Sequence, residues 1–164
     1  MSYLSPSKES TDFKFMRTFS DIRGDLPKTQ YNNPNSIYDF FKNNSEYSDM
    51  AELVEMAHMQ NYYDGSRNLT LFIAKNNHFK LPENKGKAVR LLSSNTLSQK
   101  IPLNLLKEIV SSNYPTKDIY SYVFINNTEN GVIVNNKIKL TGVSYNFGNS
   151  ILLQADGLNE NIRL

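Results

Sequence analysis

The chain has 164 residues, enough to bury one hydrophobic core and too few for two of ordinary size. Hydrophobic residues make up 39% and charged residues 21% of it, a balance typical of globular proteins. The sequence contains no run of about eighteen apolar residues, so no membrane-spanning helix is predicted. The net charge of only +2 argues against a nucleic-acid partner, and the absence of cysteine excludes disulfides, thiolate metal sites and cysteine nucleophiles.

Residues 1–35 are predicted to form an extended arm ahead of a folded domain at 36–164. The arm is polar, shows no sustained period and ends in the turn-forming run Tyr31-Asn-Asn-Pro-Asn-Ser36. It nevertheless carries more apolar side chains than a solvated tail would. We therefore expect it to bind a neighbouring protein, through Phe13, Phe15, Met16 and Phe19.

The first residues contain no apolar segment of the kind that a secretory signal needs. This favours an intracellular or virion location over a secreted one.

Helical periodicity begins after the arm. Ser36 is predicted to cap a short helix that carries Ile37, Phe40 and Phe41 and ends at Asn43-Asn44. Ser48 is predicted to cap a second helix, because apolar residues then recur at intervals of three and four. That apolar face consists of Met50, Leu53, Val54 and Ala57.

The middle of the chain predicts one strand and two further helices. Residues 69–74 are a β-branched and aromatic run typical of a buried strand. Lys85 opens a helical pattern, and Pro102 suits the first turn of another helix. The apolar residues assigned to this last helix are Leu105, Leu106, Ile109 and Val110.

After Pro115 the apolar period changes to two. Asn-rich turns separate four strand-like segments, at 119–125, 132–134, 138–143 and 151–153. We expect antiparallel hairpins here, and hence an α+β class in which N-terminal helices and a helical middle pack on those hairpins.

The order of these elements and several motifs resemble the fasciclin (FAS1) domain family over residues 36–158. Residues 36–57 are similar to its opening pair of helices, and Leu69-Thr-Leu-Phe-Ile-Ala-Lys-Asn-Asn-His-Phe79 is similar to its first signature. Residues 132–138 and 149–158 resemble its second signature. The resemblance implies a single FAS1-like domain that acts as a non-enzymatic interaction module.

Two stretches depart from the family pattern. Ala74 and Lys75 stand where the first signature commonly has Pro and Thr. A Tyr-His pair usually follows a Leu-rich helix in the family, whereas this chain has Ser112 and Asn113 in that stretch. The adhesive role that the resemblance would assign to that pair does not carry over.

The leading functional hypothesis is a structural or adhesive protein–protein interaction module in a multi-subunit assembly. The Asn- and Lys-heavy, Gly-poor composition is typical of an AT-rich genome such as that of a large DNA virus. Together with the missing secretory signal, this predicts a minor capsid protein whose arm docks on a neighbour.

A first alternative is an extracellular cell-adhesion protein. Arg23-Gly24-Asp25 is an integrin-type tripeptide, in which a glycine between a cation and a carboxylate permits a sharp turn. The sequons beginning at Asn43, Asn68 and Asn126 would matter only in the secretory pathway.

A second alternative is a small-ligand or enzymatic domain with a pocket near His78. His58 and His78 are the two histidines of the chain, and neither lies in a metal-ligand or triad pattern. We therefore expect no catalytic residue, no metal site and no cofactor.

Overall fold

The computed structural model describes residues 36–108, 111–118 and 121–160, together with the backbone of 29–32. The helices are α1 (Ile37–Lys42), α2 (Ser48–Ala57), α3 (Lys85–Ser94) and α4 (Leu103–Leu106), with a short 3-10 helix at Ser45–Tyr47. The strands are β1 (Thr29–Asn32), β2 (Leu69–Ile73), β3 (Thr96–Leu97), β4 (Ser111–Pro115), β5 (Tyr122–Thr128), β6 (Gly131–Val134), β7 (Ile138–Phe147) and β8 (Ser150–Ala155).

The helix starts follow from capping. Ser36 Oγ accepts a hydrogen bond from the Asp39 amide at 3.1 Å, which confirms the predicted cap of α1. The predicted cap of α2 is wrong by one residue, because Tyr47 takes the N-cap position and Ser48 is the first helical residue. Asn84 caps α3 by accepting from the Lys87 amide at 2.9 Å.

The strands form one sheet in the order β3-β2-β8-β7-β6-β5-β4, with β1 alongside β7. The predicted hairpins β5–β6, β6–β7 and β7–β8 are confirmed as antiparallel pairs, whereas β2–β8 and β1–β7 are parallel. The two ends of the sheet meet, since Leu97 bridges Thr116 and the Lys117 amide donates to Thr96 O at 2.8 Å. The sheet therefore nearly closes on itself.

This closure gives the sheet two buried faces. Leu69, Leu71 and Ile73 of β2 lie in a cluster with the side chains of α1, α2 and α3, while Phe72 lies in a second cluster inside the curved sheet. Strands β5 and β6 contribute to that inner cluster through Val123, Ile125, Val132 and Val134. Strand alternation thus divides the core into a helix-facing half and an enclosed half.

Several predicted element bounds are wrong, among them the end of β5, which lies at Thr128 and not at 125. Helix α4 ends at Leu106, and residues 111–115 form β4, paired in antiparallel register with β5. Of the residues assigned to the predicted helix, Leu105 and Leu106 lie in α4, and 109 and 110 lie outside the described residues. Strand β7 also runs to Phe147, beyond the predicted end at 143, and the chain reverses at Gly148, where φ is 61°.

We expect Phe72→Ala to lower the free energy of unfolding by about 3–5 kcal/mol, because it opens a cavity in the enclosed half of the core. Tyr122→Ala is the control, since Tyr122 is 63% exposed and its loss should cost less than about 1 kcal/mol. Urea denaturation of both variants measures the difference. Equal losses would contradict the assignment of Phe72 to the core.

Candidate interaction site

The outer edge of β7 is where the predicted arm joins the domain. Strand β8 pairs along one edge of β7. On the other edge β6 pairs at Ile138 and Lys139 only, and β1 takes over at Val143–Asn146 in parallel register. Thr29 lies opposite Val143, and Asn32 lies opposite Asn146. We call the paired segments 29–32 and 143–146 the arm-attachment site.

A bulge in β7 explains the change of partner. The register between β7 and β8 shifts between Leu140 and Ser144, and Gly142 lies between them with φ at 95°. A positive φ of this size suits glycine, and a bulge bends the strand that carries it. Pairing with β6 therefore stops before the bulge, and the edge beyond it is free to accept β1.

An aromatic cluster joins this half of β7 to α1. The Phe40 ring lies 4.7 Å from that of Tyr145 and 5.4 Å from that of Phe147, measured between centroids. It also lies 5.6 Å from Tyr47 and 5.8 Å from Phe41. Such ring pairs contribute about 0.5–1.5 kcal/mol beyond their buried area. Helix α1, which follows the arm in sequence, is thus packed on the strand that holds β1.

Buried hydroxyl and amide groups lie next to the aromatic cluster. Gln154 Nε2 donates to Tyr47 Oη, and the hydroxyls of Tyr47 and Tyr145 are 3.4 Å apart. Thr141 Oγ1 donates to Gln154 Oε1 at 2.7 Å. Buried polar groups cost free energy unless they are paired, and here they pair with one another. The network therefore connects β7 and β8 to Tyr47, the residue at the N-cap position of α2.

A polar contact on the surface holds α1 against α2. Tyr38 Oη donates to Glu55 Oε2 at 2.5 Å, and Lys42 Nζ lies 3.3 Å from the same oxygen. The Tyr38 hydrogen bond, with a further contribution from Lys42, holds the pKa of the Glu55 carboxyl below its usual value. The contact is solvent-exposed, so its contribution to stability is small.

The turn after β2 is occupied by structural hydrogen bonds. Asn76 Oδ1 accepts from the Asp49 amide at 2.8 Å, while its Nδ2 donates to Ser45 O and to Ser48 Oγ. Asn76 thereby satisfies the start of α2 from a distant part of the chain. This turn belongs to the first signature noted in the sequence, and its role here is to position a helix.

The histidines do not form a site in the described part of the chain. His78 is exposed, and only its backbone amide has a hydrogen bond there, to Lys75 O at 3.1 Å. His58 is exposed at the end of α2, where φ is 55°. Among the described residues no group of three or more His, Cys, Asp or Glu side chains could hold a metal ion.

The other sequence-predicted site residues lie outside the described residues. These are Phe13, Phe15, Met16 and Phe19 of the arm and the tripeptide Arg23, Gly24 and Asp25. Sequence reasoning missed the contribution of Tyr145 and Phe147, because 146–149 was interpreted as a turn. The alternation of Val143, Tyr145 and Phe147 was the signal that could have extended the strand.

No protein-family model matches the chain, and no curated protein is similar to it in sequence. Among solved structures it is similar to one described as a novel fold revealed by a FAS1 domain pair from the insect cell adhesion molecule fasciclin I. The TM-score is 0.62 at 15% identity, over 76% of this chain and 51% of that one. The chain spans about half the length of that structure. The chain has the FAS1 fold, as its motifs predicted.

In the described part of the chain, no helix has the length and apolar character needed to cross a membrane.

We expect the double substitution Gln30→Pro and Tyr31→Pro to detach β1 from β7. Proline has no amide hydrogen, and two consecutive prolines remove the donor that faces β7 whichever residue supplies it. Hydrogen exchange followed by NMR should show loss of protection at the amides of 143–146 that face β1. The amides of Ile151–Leu153 in β8 should stay protected. Unchanged exchange at 143–146 would contradict the pairing.

We expect Tyr38→Phe to raise the pKa of Glu55, because the substitution removes the hydrogen bond that most stabilises the carboxylate. A carboxyl whose pKa is lowered by folding stabilises the fold above its unfolded pKa, and that contribution disappears as the pH falls through the folded value. Carbon-13 NMR titration of the Glu55 carboxyl measures the change. Lys87→Met, which removes the separate contact with Glu83, is the control and should leave Glu55 unchanged.

Proposed function

We propose that the chain is a non-enzymatic protein–protein interaction module, a structural or adhesive unit of a multi-subunit assembly that contacts its neighbour through residues 1–28. The observation that carries the proposal is the pairing of β1 with β7, which fixes the end of the arm to the domain. The similarity to a structure from a cell adhesion molecule supports the same class of function.

The pairing matters because it reduces the cost of binding. An arm that is attached to a rigid sheet starts from one point and one direction, so its partner orders fewer residues than it would with a free tail. Each large apolar side chain of the arm that is then fully buried contributes about 1.5–3 kcal/mol. Phe13, Phe15, Met16 and Phe19 supply four such side chains close together in sequence.

Within this class we propose a minor capsid protein of a large DNA virus. Its support is the AT-rich coding bias indicated by the composition, together with the apolar arm.

Cell adhesion through Arg23-Gly24-Asp25 is a second candidate, and it is favoured by the similarity to a structure from a cell adhesion molecule. Asn43 and Asn68, which begin two of the sequons, are both exposed, so sugars could be attached without unfolding the domain. A glycan on either residue in the native protein would favour this candidate over the capsid assignment.

We expect a chain that lacks residues 1–28 but keeps β1 to fold normally and to lose its place in the assembly. Tagged full-length and truncated chains are expressed in cells in which the native assembly forms, and the cell extracts are separated by sedimentation. The full-length chain should sediment with a large particle, whereas the truncated chain should remain near its own mass. Cosedimentation of a folded truncated chain would contradict the proposal.

Two full-length variants show which part of the arm is responsible. Replacing Phe13, Phe15, Met16 and Phe19 together by Ser should reproduce the loss. Arg23→Ala with Asp25→Ala removes both charges of the tripeptide and should leave sedimentation unchanged. The opposite pattern would support integrin-type adhesion.

A further inference from the structure

The β7 edge at 143–146 accepts a strand that every copy of the chain carries. Strand β1 supplies four residues, Thr29–Asn32, to this edge, and the bulge at Gly142 separates it from the part of β7 that β6 covers. The complementary strand is joined to α1 by residues 33–36 only. The donor and the acceptor are therefore two separate segments of one sequence.

The pairing is short enough to exchange. Parallel ladders are slightly less stable per residue than antiparallel ones, and this ladder spans only four residue pairs. A second copy offers the same strand in the same register, so exchange creates the same backbone contacts that it breaks. Strand exchange between copies thus costs little beyond the entropy of association.

Exchange also keeps the β7 edge covered in both copies. When β1 leaves its own β7, the backbone groups of 143–146 that face β1 lose their partner, whereas those that face β8 stay paired. An open strand edge is a liability for aggregation. The strand with the correct register for that edge is the β1 of another copy.

We propose that β1 is exchanged between copies, so that Thr29–Asn32 of one copy pairs with Val143–Asn146 of a second copy. The inference rests on the proposed function and names the partner of the arm, which is the same chain. Reciprocal exchange gives a closed dimer, and head-to-tail exchange gives an open row of subunits.

Exchange depends on concentration. A strand on a short connection has an effective concentration of about a millimolar at its own acceptor, so the strand stays in its own chain in dilute solution. Exchanged pairs should accumulate as the protein concentration approaches that value, which a closely packed assembly provides.

The test uses a chain that has no cysteine of its own. One chain carries Thr29→Cys and the other carries Val143→Cys. Paired residues on adjacent strands lie about 5 Å apart, which is within the range of a disulfide. The two chains are mixed, equilibrated at about 10 μM or at about the millimolar effective concentration, and oxidised. A disulfide between 29 and 143 in larger yield than random collision gives requires that one copy places β1 on the other.

The expected result is a covalent dimer of twice 18.8 kDa, formed in larger yield at the higher concentration, with the 29–143 linkage identified by mass spectrometry. The matched control pairs Thr29→Cys with Lys139→Cys, because Lys139 lies on the same strand opposite β6. A dimer yield no higher than this control overturns the proposal, provided that a single chain with both cysteines at 29 and 143 oxidises within itself. Failure of that single chain to oxidise also overturns it, since the register would then be wrong.

A second pair of cysteine positions covers the case in which the first substitution destabilises the fold. If Val143→Cys lowers the unfolding temperature, Asn32→Cys with Asn146→Cys tests the same register. Adding Gln30→Pro and Tyr31→Pro should abolish the dimer.

If the truncated chain loses the assembly but no exchange is trapped, the proposed function stands and the arm binds a different protein. If exchange is trapped but truncation leaves sedimentation unchanged, the exchange stands and the proposed function fails.

Discussion

The parallel pairing of β2 with β8 is the interaction on which the other elements depend. It joins Leu69–Ile73 to Ser150–Gln154, and all eleven positions of the two strands are buried. Because both faces of this pair are covered, it belongs to the helix-facing core and to the enclosed core together. Thr70 is one of the buried polar residues of this pair. Its hydroxyl donates to Gln99 O at 2.7 Å and accepts from the Ile101 amide at 2.8 Å.

The central pair fixes the position of β7, because β7 is paired with β8. One of its edges is held by β8, so its other edge must find partners or remain open. Strand β6 satisfies the first two residues, and the bulge then turns the rest of the edge toward β1. Phe40 and the Tyr47–Gln154 network fix the faces of the same strands, which keeps this edge rigid. Strand β1 thus lies against a well-packed part of the sheet.

Local signals explain how much of this fold could be predicted. Ser36 marks α1 because its hydroxyl caps a helix within the same four residues, and Asn135-Asn136 marks a turn because both residues adopt positive φ. The arm-attachment site could not be predicted in the same way. Residues 29–32 and 143–146 are far apart in sequence, and a four-residue strand in a polar segment has no recognisable period. Strand β4 was not predicted for a related reason, since its pairing with β5 lies outside its local pattern.

The structural role of Ser112 and Asn113 bears on which surface of this chain could bind a partner. In the family that the sequence resembles, this stretch carries a Tyr-His pair after a Leu-rich helix. Here it is an edge strand, in which Ser112 lies opposite Ile125 and Asn113 lies opposite Phe124. The backbone of the segment pairs with β5, and the side chains of Ser112 and Asn113 are small and polar. The β7 edge differs because its partner is a short strand of the arm, so the binding of a neighbour and the completion of the sheet can be coupled there.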